Sequence, residues 1–347
     1  MGLFKSDGAI GLDLDTGIIR AVELRGTAAS AALTAAGSIE IPEAAVVEGM
    51  VADPEAVAGA LKKLWGEARL RSSKIVLGVS NQGVFMRMAT FPKVPDNKLA
   101  QVLRFQAGDY FPIPMPQLVL DHAVVGELEG EGGPALEILL VAARRDMLEK
   151  SLKALAGASF NPAVVDASPL ALMRTLPESQ LAGTVLLTDM ANGISSLLLV
   201  AGGVPRFARV IPHSLHSYAR EIGAHLADVL NAVQQVAAAR GNGQAEDIST
   251  GPPGGWGVAL AAEIRSSIGY YLTQSGGGQV DSVILSGRGA RVGGLAEILQ
   301  EELEVPVRMA KPLARLGGPT RVQGLNLEQE GPDFAVSIGL ALRGLED

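Results

Sequence analysis

The sequence contains no cysteine among its 347 residues. That excludes disulfides, thiol nucleophiles and zinc–thiolate centres, and it suits a reducing compartment. Aromatic residues are also scarce, at 4% of a chain that is 48% hydrophobic. Alanine, leucine, valine and 42 glycines make up the difference, which predicts close backbone packing and many tight turns. There is no long basic block, and 29 basic residues face 37 acidic ones for a formal charge of −8. A general nucleic-acid surface is therefore not expected. The longest strongly apolar run, Leu136 to Ala143, contains Glu137 and falls far short of the roughly 20 residues that a spanning helix needs. Met1 to Asp7 lead straight into a strand, so no secretory leader is expected. His122, His213, His216 and His225 lack metal-ligand spacing, with His213 and His216 expected at a surface or a cap.

What is present is a repeated pattern: an apolar strand, an Asp, three residues, a Gly, and a second apolar strand. The first copy runs from Ile10 through Asp13 and Gly17 to Leu24, and the second from Val185 through Asp189 and Gly193 to Val200. Each copy places a carboxylate at a strand end and small residues in the turn beyond it. A single copy is an ordinary hairpin with Gly in its turn. Two copies facing across a cleft can bind phosphate oxygens through turn N–H groups and hold a hydrated metal ion between the carboxylates.

Along the chain, strands are predicted at Ala9–Leu14, Arg20–Arg25 and Ala31–Ile41. A helix follows from Asp53-Pro54, an N-cap followed by proline in the first turn. Strands at Lys74–Val79 and Val84–Phe91 precede a helix capped by Asp96, which must stop at Phe111-Pro112-Ile113-Pro114. Further strands near Leu118–Val125 and Leu136–Ala143 and a helix from Asp146 complete a compact insert over Lys74–Gly157. Beyond the second hairpin lie a strand at Val204–Val210 and helices at Ser214–Arg240 and Val258–Gln274. Between those helices, Gly241–Gly257 is expected to form an exposed loop. A short buried strand, Ser282–Ser286, enters the glycine turn Gly287-Arg288-Gly289-Ala290 and the helix Leu295–Glu304. Asp333 is expected to cap a last helix, Phe334–Leu345. Three antiparallel strands followed by helix and parallel strand, occurring twice, is the pattern of a duplicated ribonuclease-H-like α/β domain.

The glycine turn is not a dinucleotide fingerprint, because Val292 stands where its third Gly belongs, and the chain has no Walker A sequence. Asp15-Thr16-Gly17 matches half of an aspartic-protease pair, but the second copy reads Asp189-Met190-Ala191, so the shared-proton chemistry has no partner.

Four stretches together resemble the PilM family of type IV pilus assembly proteins, in the actin-like ATPase superfamily and related to FtsA. They are Gly11-x-Asp13 through Leu24; Gln101 to Pro114 with its Tyr110-Phe111-Pro112-Ile113-Pro114; Glu263-Ile264-Arg265 with Val283 to Leu295; and Ile338 to Arg343. The resemblance implies an actin-like fold of two ribonuclease-H-like domains with an inserted α+β subdomain. Domain I would span residues 1–182, with the insert at about 74–157 and the closing helix 333–347 packed back on it; domain II would span 183–332. It also implies ATP and Mg²⁺ in the cleft between them. Asp13 and Asp189 would hold Mg²⁺ through water, and Arg20 would contact the β-phosphate. Asp15, Thr16, Gly17 and Ile18, with Ala191, Asn192 and Gly193, would line the phosphates. Gly287, Arg288 and Gly289 would flank the adenosine, and Glu263 would reach the ribose. The implied role is a cytoplasmic scaffold that docks the N-terminal tail of a PilN-like inner-membrane protein between the first subdomain and the insert. It would meet other pilus assembly proteins and reach the membrane only through partners.

Three residues and one segment depart from the family pattern, the segment being Ile211-Pro212-His213-Ser214, which lacks a Gly-Gly after the third strand. Asp15 and Ala191 replace loop glycines, and Arg288 replaces the middle Gly of the adenosine turn. A carboxylate about 4–6 Å from a polyanion costs on the order of 3–4 kcal/mol before screening. The departures therefore raise a second expectation, a nucleotide-free pseudo-ATPase that keeps only the scaffold role. A sugar or acid kinase of the same superfamily would use Asp189 or Asp166 as its catalytic carboxylate. An FtsA-like filament protein would need an amphipathic C-terminal anchor, and Leu345-Glu346-Asp347 offers none.

Overall fold

The computed structural model describes residues 8–130, 133–232, 252–274, 278–317, 322, 325 and 327–346. The first hairpin pairs β1 (Ala9–Asp15) with β2 (Ile18–Thr27), which sets Asp13 opposite Arg20. Gly17, at φ +76°, makes the tight turn, a conformation that favours glycine. Next come β3 (Ser30–Glu40) and a small hairpin of β4 (Val46–Val47) and β5 (Met50–Val51). Helix α1 (Pro54–Glu67) begins where expected: the Asp53 carboxylate accepts from the N–H groups of Glu55 and Ala56, with Pro54 in the first turn. Then follow β6 (Lys74–Val79), β7 (Val84–Pro92), α2 (Asp96–Gln106), β8 (Leu118–Gly130), β9 (Gly133–Arg144), α3 (Arg145–Gly157), β10 (Val164–Ala167), α4 (Ser168–Arg174) and α5 (Glu178–Leu181). The second half contains β11 (Thr184–Met190), β12 (Ser195–Ala201), β13 (Val204–Ile211), α6 (Leu215–Glu221), α7 (Pro252–Gln274), β14 (Ser282–Ser286), α8 (Leu295–Leu303), β15 (Val307–Met309), α9 (Leu327–Glu330) and α10 (Ala335–Arg343).

Two five-stranded sheets carry the predicted duplication, in the orders β10-β6-β1-β2-β3 and β13-β12-β11-β14-β15. In each, an antiparallel meander meets a parallel strand: β6 lies parallel to β1, and β14 parallel to β11. A separate three-stranded sheet, β7-β9-β8, forms the insert, with Phe91, Ile138 and Leu140 of the sheet packed in one buried cluster with Leu103 of α2. Two elements that the sequence grouped with the insert belong elsewhere. β6 is a central strand of the first sheet, and α3 packs on α1 with Met147, Leu148, Ala154 and Leu155 in that sheet's core. Chain adjacency had joined them to the insert; strand pairing separates them.

Other boundaries differ for local reasons. Pro95 is the N-cap of α2, so Asp96 is its first helical residue. The helix after β13 ends at Glu221 because the chain turns at Gly223 (φ +67°), and residues 226–232 are helical again. Residues 252–257, expected in a loop, are the first turns of α7. The remainder of the expected loop, and the end of the helix predicted to reach Arg240, lie outside the described residues. Asp333 does not cap α10; it lies in a 3₁₀ turn, Gly331–Phe334, and faces two arginines.

α10 packs between the first sheet and α4 with no room to spare. A Cβ on Gly11 would stand 1.9 Å from the Ser337 carbonyl oxygen, and one on Gly339 would stand 1.8 Å from that of Ala171. One apolar cluster joins all parts of the molecule, taking Met86 and Leu139 from the insert, Leu172 and Leu181 from α4 and α5, and Val185 and Leu198 from the second sheet. The edge strands β7 and β13 run beside each other. A groove of about 500 Å³ separates them, lined by Phe85, Arg87, Met88, Arg206, Arg209 and Tyr270 among others.

Candidate functional site

The two repeated hairpins meet at their tips, and register explains which side chains arrive there. Asp13 and Asp15 end β1, Arg20 lies opposite Asp13 on β2, and Asp189 ends β11 beside Ser286 of β14. Asp15 is buried, at 4% exposure, and its carboxylate crosses to the second hairpin. Its Oδ1 accepts from the N–H of Thr16 at 2.8 Å and of Gly193 at 3.0 Å. Its Oδ2 accepts from the N–H of Asn192 at 2.9 Å and from Arg20 Nη1 at 3.3 Å. The Asn192 side chain returns the link by donating from Nδ2 to the Thr16 carbonyl at 2.9 Å. Gly193 must be glycine here, because a Cβ would stand 2.0 Å from Thr16 Oγ1. Ala191 and Asn192 in turn accept through their carbonyls from Leu215 and His216 at the start of α6.

The electrostatics follow from burial. Arg20 Nη1 also binds Asp13 Oδ2 at 3.2 Å, so one guanidinium serves two carboxylates. Burial opposes the charge on Arg20, yet Asp15, Asp13 and Asp333 hold its pKa above the usual value. Burial pushes Asp13 up to about 6; Arg20 opposes this and Asp15 adds to it. Asp189 is pushed up to about 7, by burial first and then by the negative charges of Asp13 and Asp15. Asp333 Oδ2 accepts from Arg291 Nη1 at 2.9 Å and from Arg288 Nε at 3.3 Å. Burial, and after it the charge of Arg20, lowers the pKa of Arg288.

Most of the expected site residues are therefore brought together, but they bind one another. Gly287 and Gly289 are needed for packing: a Cβ would stand 2.5 Å from the Met190 carbonyl oxygen at the first and 2.9 Å from Met190 Cβ at the second. Glu263 pairs with Arg209 of β13, at 3.5 Å. Asp166, the other carboxylate weighed for catalysis, pairs with Arg174. His216 Nε2 lies 3.3 Å from Glu43, at the surface position expected of it. Asp333 and Arg291 join the cluster unforeseen. They are 42 residues apart in sequence, and no local pattern announces the pair.

A family model described as type IV pilus assembly protein PilM matches residues 11–345, nearly the whole chain. The chain belongs to the PilM family. A solved structure described as a PilM–PilN type IV pilus biogenesis complex is similar over 98% of this chain and 99% of that one, at 31% identity and a TM-score of 0.83. The ethanolamine utilization protein EutJ from Carboxydothermus hydrogenoformans shares the fold, at 14% identity and a TM-score of 0.56 over 96% of this chain and 88% of that one. The fold is the actin-like ATPase fold. Within this PilM-family chain, the Tyr110 to Pro114 stretch closes the insert core, with Phe111 buried and Tyr110 5.8 Å from Phe91.

In this PilM-family member the groups that would meet ATP and Mg²⁺ at the hairpin tips are already engaged. The N–H groups of Asn192 and Gly193, which would face a phosphate, already face the Asp15 carboxylate. Arg20, the expected phosphate cation, is shared between Asp13 and Asp15, and Asp13 is thereby committed to a guanidinium. As arranged, these residues do not fit a polyphosphate.

Proposed function

We propose that the chain is a cytoplasmic scaffold of type IV pilus, or related secretion, inner-membrane assembly. It docks the N-terminal tail of a PilN-like membrane protein and meets other assembly proteins, which tie it to the membrane. The observation that carries this reading is the near full-length likeness to the PilM of a PilM–PilN complex, at 31% identity. That no helix among the described residues is long and apolar enough to cross a membrane accords with attachment through partners. In this reading residues 1–182 with the closing helix form one arm, residues 183–332 the other, and the insert supplies part of the dock.

A groove of about 300 Å³ suits an extended tail. It runs between the β4–β5 hairpin and the start of α3, lined by Val47, Met50, Ala52, Arg144, Asp146 and Lys150 among others. Val47 and Met50 expose apolar surface there, at 43% and 39%, and basic and acidic groups flank it, the usual make-up of a peptide-docking site. Calorimetric titration of the purified chain with a synthetic tail of the co-encoded PilN-like protein should give saturable binding. Val47→Asp combined with Met50→Asp should weaken it roughly tenfold or more. Absence of binding by the unaltered chain would sink the reading.

Of the two nucleotide readings, the ion-paired cleft supports the nucleotide-free scaffold. ATP and Mg²⁺ remain the competing reading because each repeated hairpin brings a carboxylate, Asp13 or Asp189, to the end of its first strand, and high-affinity Mg-ATP binding by the unaltered protein would restore it.

A further inference from the structure

The second hairpin turn is built to hold an oxyanion. Two successive N–H groups, those of Asn192 and Gly193, converge on one buried point, joined by the Thr16 N–H and the Arg20 guanidinium. Such a nest of backbone donors beside a cation binds negatively charged oxygens. Donor capacity is left over as well: Arg20 Nη2 and Thr16 Oγ1 are buried and have no partner among the described residues. A carboxylate presents two oxygens in a plane, whereas a phosphoryl group presents three in a tripod. We propose that Asp15 is the chain's own ligand for a latent phosphoryl-oxyanion site, standing where a phosphate would otherwise join the two hairpins. The proposal rests on the nucleotide-free reading of the scaffold. It adds that the two halves are latched by a side chain rather than by a bound ligand, and that the latch is what excludes external phosphate.

The latch involves few residues. Asp15 comes from the first sheet, and the N–H groups of Asn192 and Gly193 that donate to it lie 177 and 178 residues further along. Asn192 Nδ2 and the Thr16 carbonyl close the same contact in the opposite direction. Removing the carboxylate leaves the donors in place, because Asn192 and Gly193 are held by the second hairpin and by α6.

The test uses the full chain, unaltered and as Asp15→Ala and Asp15→Asn, titrated calorimetrically with inorganic phosphate, pyrophosphate and Mg-ATP. The unaltered chain is expected to bind none of them at millimolar concentration. Asp15→Ala should gain affinity for at least one by about tenfold or more, and the ligand that works separates a bare phosphate site from a nucleotide site. The Asp15→Asn amide keeps the size of the side chain but loses its charge, and should fall between. Equal binding of Mg-ATP by the unaltered chain and Asp15→Ala, or no gain in either variant, overturns the proposal. Should neither variant fold, hydrogen exchange on the unaltered chain decides. The amides of Asn192 and Gly193 should be protected without added ligand, and fast exchange there overturns the latch. Tail-peptide binding measured on the same unaltered preparation tests the scaffold reading separately, so failure of one leaves the other readable.

Discussion

Asp189 feels the negative charges of Asp13 and Asp15, and its carboxyl is pushed up further than that of Asp13, to about 7 against about 6. A carboxyl whose pKa rises on folding, here from 3.8 to about 7, holds a proton in the native state that the unfolded chain has already released. Its contribution is therefore favourable below about pH 4 and is lost as pH rises towards 7. Asp189→Asn removes that dependence and should stabilise the protein at pH 8 while changing little at pH 4. Because Asp189 keeps some contact with solvent, about 1–2 kcal/mol is expected, read from urea midpoints at the two pH values. The residue scale is also where the sequence told least. It showed an acid, Asp15, in the turn end of the first hairpin, and its charge was expected to oppose a phosphate. It could not show that donors 177 residues away would satisfy that charge, since hydrogen bonds across the fold leave no mark in local pattern. Asp333 was misjudged for the same reason. An acid before a helix looks like a cap, and only the fold brings Arg288 and Arg291 to it.

Elements were far more legible, because strands and helices announce themselves by period and by punctuation. Both hairpins, the Asp53 cap and the glycine turn into α8 follow from residue spacing alone. What spacing does not convey is which sheet a strand joins, so β6 was grouped with the strand after it in sequence rather than with β1 beside it in space. Close approach between elements is the other hidden quantity. Gly339 reads as an ordinary weak point in a helix, yet it is where α10 touches the backbone of α4. Gly339→Ala adds a methyl where the Ala171 carbonyl already stands, and overpacking of that kind costs about 1–3 kcal/mol or more. Gly59 has nothing within 4 Å of a Cβ and lies in α1. Gly59→Ala should therefore leave stability unchanged or raise it by up to about 1 kcal/mol. Thermal unfolding of the two variants side by side distinguishes a packing glycine from a tolerated one.

In the whole molecule, the duplicated sheets and the insert are bound into one body by a shared core around Leu172, Leu181, Val185 and Leu198. Leu172→Ala opens a cavity at that junction and should cost about 2–5 kcal/mol. If the arms are as interlocked as this core suggests, calorimetry will show one unfolding transition moving down in temperature, whereas two separating peaks would show that the arms unfold independently. One arrangement has a consequence for the chain's behaviour in a crowded cell. β7 and β13 are each the last strand of a sheet, and an unpaired strand edge is a template on which other chains can add and aggregate. Here the two edges run side by side and Arg87, Arg206 and Arg209 line the gap, so each hampers foreign pairing with the other. Arg206 is also tied to Glu137 of the insert. The insert thus acts as a solubility shield for the second sheet, and a chain trimmed of residues 84–144 would be expected to scatter light and precipitate even where the remaining core still folds.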